Sequence, residues 1–215
     1  VASYGQLKAE VAAWLNRRDL DPVMPGWVAM VETEIAETLR ARCMVTSGVQ
    51  SITTPYLSLP PDFATMESIR DNTTGELLDL KDEWSGDWGV SFNGTDQTNT
   101  SAPCTAYRLV HDCIEFLPHP PQPLPDTWQP QQVLMGWYAK PQPLINDTDT
   151  NTVLEALYAV YLMGTCKYGA MFELDDDRAA QMDAAWQQAV TRANNWKQFS
   201  DYSGAPFRSE LATTF

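Results

Sequence analysis

The sequence predicts an α+β protein: a helical bundle formed by N- and C-terminal helix pairs, with an inserted antiparallel β-module and an extended C-terminal arm. Three observations predict it. Apolar residues recur at helical spacing up to Arg42, the period becomes alternating from Met44, and the helical period returns at Asn146. The implied domains are residues 1–43 and 146–200 for the bundle, 44–145 for the β-module with its Pro-rich loop, and 201–215 for the arm.

Ser3 and Gln6 make a capping box, in which the hydroxyl accepts from the backbone three residues on and Gln6 reaches back to the cap, so a helix starts near Tyr4. Leu7, Val11, Trp14 and Leu15 give it an apolar face, opposite Lys8, Glu10 and Asn16. Asp21, Pro22 and Pro25 punctuate a turn. A second helix then runs from about Gly26 to Arg42 with the stripe Trp27, Met30, Val31, Ile35 and Leu39. Its acids Glu32, Glu34 and Glu37 precede Arg40 and Arg42, an order that suits the helix dipole.

Val45, Ser47, Val49 and Ser51 alternate as a strand, Tyr56 to Leu59 is a second strand stopped by Pro60 and Pro61, and Ala64 to Asp71 is a third. The prolines force a turn behind which Phe63 drops back into the core. Thr73-Thr74-Gly75 turns the chain into ELLDL, Lys81 to Trp88 has the length of one or two helical turns, and 89–102 is a loop with little to bury. Residues 105–110 and 113–118 pair as a hairpin turning at His111 and Asp112, and 133–138 is a further strand. Eight of the fifteen prolines fall between Pro118 and Pro143, which assigns this part to a sheet edge or an extended linker.

Residues 146–151, NDTDTN, supply helix caps, and Leu154 to Phe172 is apolar around most of its circumference, which predicts a central, buried helix. Asp175 to Asp177 open a last helix with Met182, Trp186, Ala189, Val190 and Ala193 on its inner face. Ser203-Gly204-Ala205-Pro206 breaks that helix. Tyr202, Phe207, Leu211 and Phe215 then recur every four to five residues among small polar ones, the pattern of a peptide that orders on a partner and drops bulky anchors into successive pockets.

A chain of 215 residues buries roughly 70% of the surface its unfolded form exposes. Its formal charge of −14 disfavours a tight grip on DNA or anionic lipid, leaving DNA at most as passing cargo along a repelling wall. The longest apolar run, Ala156 to Gly164, is too short to span a bilayer, so no membrane partner is expected, and no secretory signal pattern is present. Cys43, Cys104, Cys113 and Cys166 are scattered without a C-x-x-C pair and are expected to be reduced and mostly buried. The sequons at Asn72, Asn93, Asn99 and Asn146 are read as chance products of Asn/Thr-rich loops.

Phosphate-cradling Gly-rich loops and the G-x-S-x-G elbow are missing, so no catalytic residue, cofactor or metal is expected and the chain is read as non-enzymatic. His111 and His119 read as surface turn residues. The alternating oxygens of 147–151 resemble a calcium loop but lack Gly at the sixth position and carry Tyr158 where the bidentate Glu belongs, so capping is the expected role. The rival class is a saccharide-binding or glycan-hydrolysing tail component. Trp14, Trp27 and Trp186 are assigned to the core, which leaves Trp84, Trp88 and Trp128 as its sugar platforms.

Three ordered motifs carry a family resemblance: the N-R-R-D-L turn with a helix ending L-R-A-R, the strand-turn YLSLPPDF, and an aromatic helix followed by an acidic turn and D-R-A. In that order the chain resembles the head-to-tail adaptor proteins of short-tailed bacteriophages, the portal-docking proteins similar to tail tubular protein A. It departs from them in carrying Ile35-Ala36 where Ile-Asn is common, in the inserted 84–101 loop and in the longer tail after Tyr202. The resemblance implies a virion protein, assembled in the host cytoplasm, whose twelvefold ring docks on the portal, extends the DNA channel and offers its far side to tail or nozzle proteins. It further implies that the C-terminal extension docks on the portal, making Tyr202, Phe207, Leu211 and Phe215 the partner-binding residues.

Overall fold

The computed structural model describes residues 2–81, 103–120 and 130–202, with 196–202 described by backbone alone. The chain is α+β and divides into two compact units, Val1–Met44 with Lys140–Phe215, and Val45–Ala139.

In the helical unit, α1 spans Tyr4–Leu15, and the Ser3 hydroxyl accepts from the Gln6 N–H at 3.3 Å. Only half of the capping box forms, because the Gln6 side chain donates instead to Glu10 at 3.0 Å. Tyr4, Leu7, Val11 and Leu15 make the buried stripe. Trp14, assigned above to the core, is 46% exposed, since Val11 and Leu15 hold the inward line and Trp14 lies about 100° round the helix from it. Helix α2 is Met24–Thr38, with Pro25 in its first turn. It buries Met24, Trp27, Val28, Val31 and Ile35, while Met30 faces solvent. It also stops short of Arg42: Leu39 is extended, and a 3-10 turn covers Arg42–Met44. Arg40 therefore acts from outside the helix, its guanidinium donating to the Ala36, Glu37 and Leu39 carbonyls that the last turn leaves open.

The predicted central helix is broken at Leu157 (φ −133°, ψ 49°) into α3, Thr152–Ala156, and α4, Tyr158–Phe172. Its start is capped as expected, Asn151 accepting from the Leu154 N–H at 2.8 Å and Asp149 accepting from the Ile145 and Asn146 N–H groups. Residues 140–145, grouped above with the β-module, fall in the helical unit, where Leu144 is buried and its N–H donates to Glu32. Helix α4 packs against α1, α2 and α5, Asp176–Tyr202. Gly164 is the point of closest approach: a Cβ there would lie 3.0 Å from both the Trp186 ring and Val31. Gly164 faces Trp186 and Lys167 faces Asp183, so α4 and α5 run antiparallel.

The β-unit holds two sheets around one core. The first has the order β1 (Val45–Ile52), β7 (Gln131–Ala139), β3 (Phe63–Asp71), all antiparallel. Its central strand comes from inside the proline-rich stretch expected at an edge, because 131–139 is free of proline between Pro130 and Pro141. The second runs β2 (Tyr56–Ser58), β6 (Cys113–Leu117), β5 (Ala106–Val110), β4 (Asp79–Leu80). Its β4–β5 pair is parallel, so the module is not wholly antiparallel. Asp71 makes the turn between the sheets, its carboxylate accepting from the Thr73 and Thr74 N–H groups before Gly75 takes φ 76°. Ile52, Ile69, Val133, Met135 and Trp137 of the first sheet and Tyr107, Ile114 and Phe116 of the second bury one another, with Phe63 packed on the rim of that cluster. Cys113 faces Val110, and all four cysteines are free thiols.

Candidate docking surfaces

Lys167 ties the helical unit together from the middle of α4. Its side chain is nearly buried, and Nζ lies 2.7 Å from Glu34 of α2 and 3.4 Å from Asp183 of α5. The Trp186 and Tyr168 rings lie 4.5 and 4.7 Å from the same cation. The Tyr168 hydroxyl also donates to Glu34, and burial raises its pKa to about 12. This seam fixes the register of α4 on α2 and α5 and thereby positions both ends of the unit.

At one end the chain turns from α4 into α5. Leu174 adopts left-handed backbone (φ 58°), and the Glu173, Leu174 and Asp175 N–H groups close back on the Gly169, Met171 and Ala170 carbonyls. The turn holds Met171, Phe172 and Leu174 in solvent, Leu174 at 87% exposure. Phe172 packs its ring 5.6 Å from that of Trp27, while Arg178 donates to the Trp14 carbonyl and Arg17 pairs with Asp19 and Glu173. The α1–α2 turn is thus fastened beside the α4–α5 turn. Single exposed apolar side chains are ordinary, but Met171, Phe172, Leu174 and Trp14 collected at one end of the helices mark a contact surface. Asp175, Asp176 and Asp177 edge it with negative charge; Asp175 also caps α5 by accepting from the Arg178 N–H.

The other end of the same helix pair is concave. Ala41 to Cys43, Ala156 to Val160, and Ala189, Arg192 and Ala193 line a groove of about 560 Å³. Its floor is built from alanines, where small side chains leave α3, α4 and α5 under-filled, and among the described residues its charged lining is Arg42 and Arg192. Helical rise puts the groove about 20 Å from the turn along α4.

In the β-unit, Glu115 is fully buried and engaged on both oxygens: Arg108 Nε lies at 2.7 Å from one, and His119 Nε2 at 3.1 Å and the donating Tyr56 hydroxyl at 3.2 Å from the other. His119 is exposed, as expected from sequence, but sequence reading missed the cluster its ring joins, which the β5–β6 register assembles by setting Arg108 opposite Glu115. Alternation of Ile114, Glu115 and Phe116 disguises it, since all three are buried. His111 does occupy the exposed hairpin turn, at φ 53°.

A half-buried carboxylate in the helical unit carries a pH response. Glu32 accepts from the Leu144 N–H at 3.1 Å and the Tyr161 hydroxyl at 3.4 Å; burial lifts its pKa from 4.5 to about 7 against the pull of those two bonds. A carboxyl raised in the folded state keeps its full contribution below the unfolded value, and that contribution is lost as pH climbs through the folded one. Glu32→Gln keeps an oxygen acceptor and removes the charge. Urea midpoints should therefore fall for the native chain relative to Glu32→Gln between pH 4.5 and 7 and stay parallel above; parallel curves throughout contradict this assignment.

Of the partner-binding residues expected from sequence, Tyr202 is the last residue of α5, with its side chain undescribed, and Phe207, Leu211 and Phe215 lie outside the described residues. Trp84, Trp88 and Trp128, and the 82–102 segment with its expected turns and loop, lie outside them as well. Among the described residues no group of three or more His, Cys, Asp or Glu side chains is placed to hold a metal ion, and no helix is long and apolar enough to cross a membrane. Comparison with protein families decides the chain's kinship: the family model for the SU10 adaptor protein matches residues 2–209. The chain belongs to the SU10 adaptor protein family. No curated protein matches it. As an SU10 adaptor family member the chain is a phage structural adaptor, a virion component that interacts with other head or tail proteins.

Proposed function

We propose that this adaptor is a non-enzymatic head-to-tail connector of a short-tailed phage. It assembles in the host cytoplasm as a twelvefold ring, docks on the portal and extends the DNA channel toward the tail or nozzle proteins. The observation that carries this reading is the family match across residues 2–209. Two features of the chain support it. The −14 charge gives a channel wall that repels phosphate and lets a duplex pass without sticking. The end of the helical unit offers apolar contact area in Met171, Phe172 and Leu174, as suits a docking protein.

In this reading the helical unit contacts the portal and the β-unit faces the tail, and the segment 202–215 lies along the portal with Tyr202, Phe207, Leu211 and Phe215 as anchors. Deleting residues 202–215 should leave thermal unfolding of the free protein unchanged and abolish its attachment to portal-bearing heads. Normal attachment by the truncated protein contradicts the proposed role of the arm.

A further inference from the structure

We infer that the α4–α5 turn of one copy seats in the alanine-lined groove of a second copy, joining helical units head to tail. This rests on the ring reading above and names a contact that makes the ring. The two surfaces match in kind. The turn is convex and apolar, presenting Met171, Phe172 and Leu174, with Asp175, Asp176 and Asp177 along its edge. The groove is concave and apolar, with Arg42 and Arg192 at its lining and no acid among the described lining residues.

The occupant is another copy because the geometry forbids the same one. Turn and groove cap opposite ends of one antiparallel pair, about 20 Å apart along α4, and the Lys167 seam with Glu34 and Asp183 holds that pair rigid. A turn cannot reach its own groove. A contact between two different patches is heterologous, and repeated through a fixed rotation it closes a ring or runs on as a filament.

Charge decides when it forms. Whole copies at −14 repel one another, over roughly 30 Å at 0.01 M salt and about 8 Å at physiological salt. The pairing of Asp175 to Asp177 with Arg42 and Arg192 is short-range attraction set within that repulsion. The isolated chain is therefore a monomer or weak oligomer at low salt, and a template that gathers copies strengthens the contact.

The test combines charge exchange with cross-linking on the full chain. Asp176→Arg with Asp177→Arg, and separately Arg192→Asp, should each weaken self-association at physiological salt by about tenfold or more in Kd, and the chain carrying all three should recover most of that loss. These side chains are exposed, so unchanged thermal unfolding confirms that the variants fold. In a chain whose partly exposed native thiols are removed by Cys43→Ala and Cys113→Ala, a short bifunctional maleimide should link Leu174→Cys to Ala189→Cys between copies as a ladder of multimers, absent when either new cysteine is present alone. Self-association indifferent to the exchanges, with no ladder beyond that of the single variants, overturns this contact while leaving the ring intact. Absence of any association, alone or on portal rings, overturns both.

Discussion

Gly164→Leu should destabilise the helical unit by about 3 kcal/mol, in the upper range for overpacking a core. The added Cβ alone meets Trp186 and Val31 at 3.0 Å, and the rest of the side chain has to enter the same space. Trp186 and Val31 are themselves buried, on α5 and α2, so neither yields without moving a helix. The roughly 1 kcal/mol that a helix gains on losing a glycine cannot offset this. Gly26 supplies the contrast. It sits in the first turn of α2, where a methyl group would have no neighbour within 4 Å, so Gly26→Ala should stabilise by up to about 1 kcal/mol. Urea unfolding followed by circular dichroism reads both. Native stability in Gly164→Leu contradicts the packing described for α2, α4 and α5.

Arg108→Ala should cost the β-unit about 3–5 kcal/mol, the range for stripping one partner from a buried ion pair. Glu115 has no exposure to water, and Arg108 is its nearest cation. With the guanidinium gone, the carboxylate is left with the His119 and Tyr56 contacts. Replacing both members by apolar residues of similar volume, Arg108→Met with Glu115→Leu, should recover much of the loss, because the uncompensated buried charge is then absent. A double variant as unstable as Arg108→Ala would show that the polar network specifies the hairpin instead of merely neutralising Glu115.

The helices were legible where period and caps agreed. Ser3, Asn151 and the acidic run at 175–177 marked starts that the structure keeps, and the stripe of α5 faces inward through Trp186, Val190 and Ala193. Period alone erred where a neighbouring line of the helix did the packing, as with Trp14 and Met30. It was also silent about ends set by tertiary contact: α2 stops where Asn194 accepts from the Arg40 N–H, a partner 154 residues away. The central position of β7 was hidden by the prolines on either side of it. As for the site, the order of motifs pointed to the adaptor class that the family match supports. The alanine groove was unreadable, because it is made by residues from several elements and exists only once α4 and α5 lie antiparallel, and the exposure of Met171 and Phe172 was hidden because they continue the apolar run of α4.

The most direct measurement is the mass of portal rings after incubation with the full-length chain, by native mass spectrometry or analytical ultracentrifugation. One closed ring of twelve copies per portal should add in a single cooperative step, with none of it formed by the chain alone at low salt. Portal rings that keep their own mass, with the chain left as free monomer, would contradict the adaptor role proposed here.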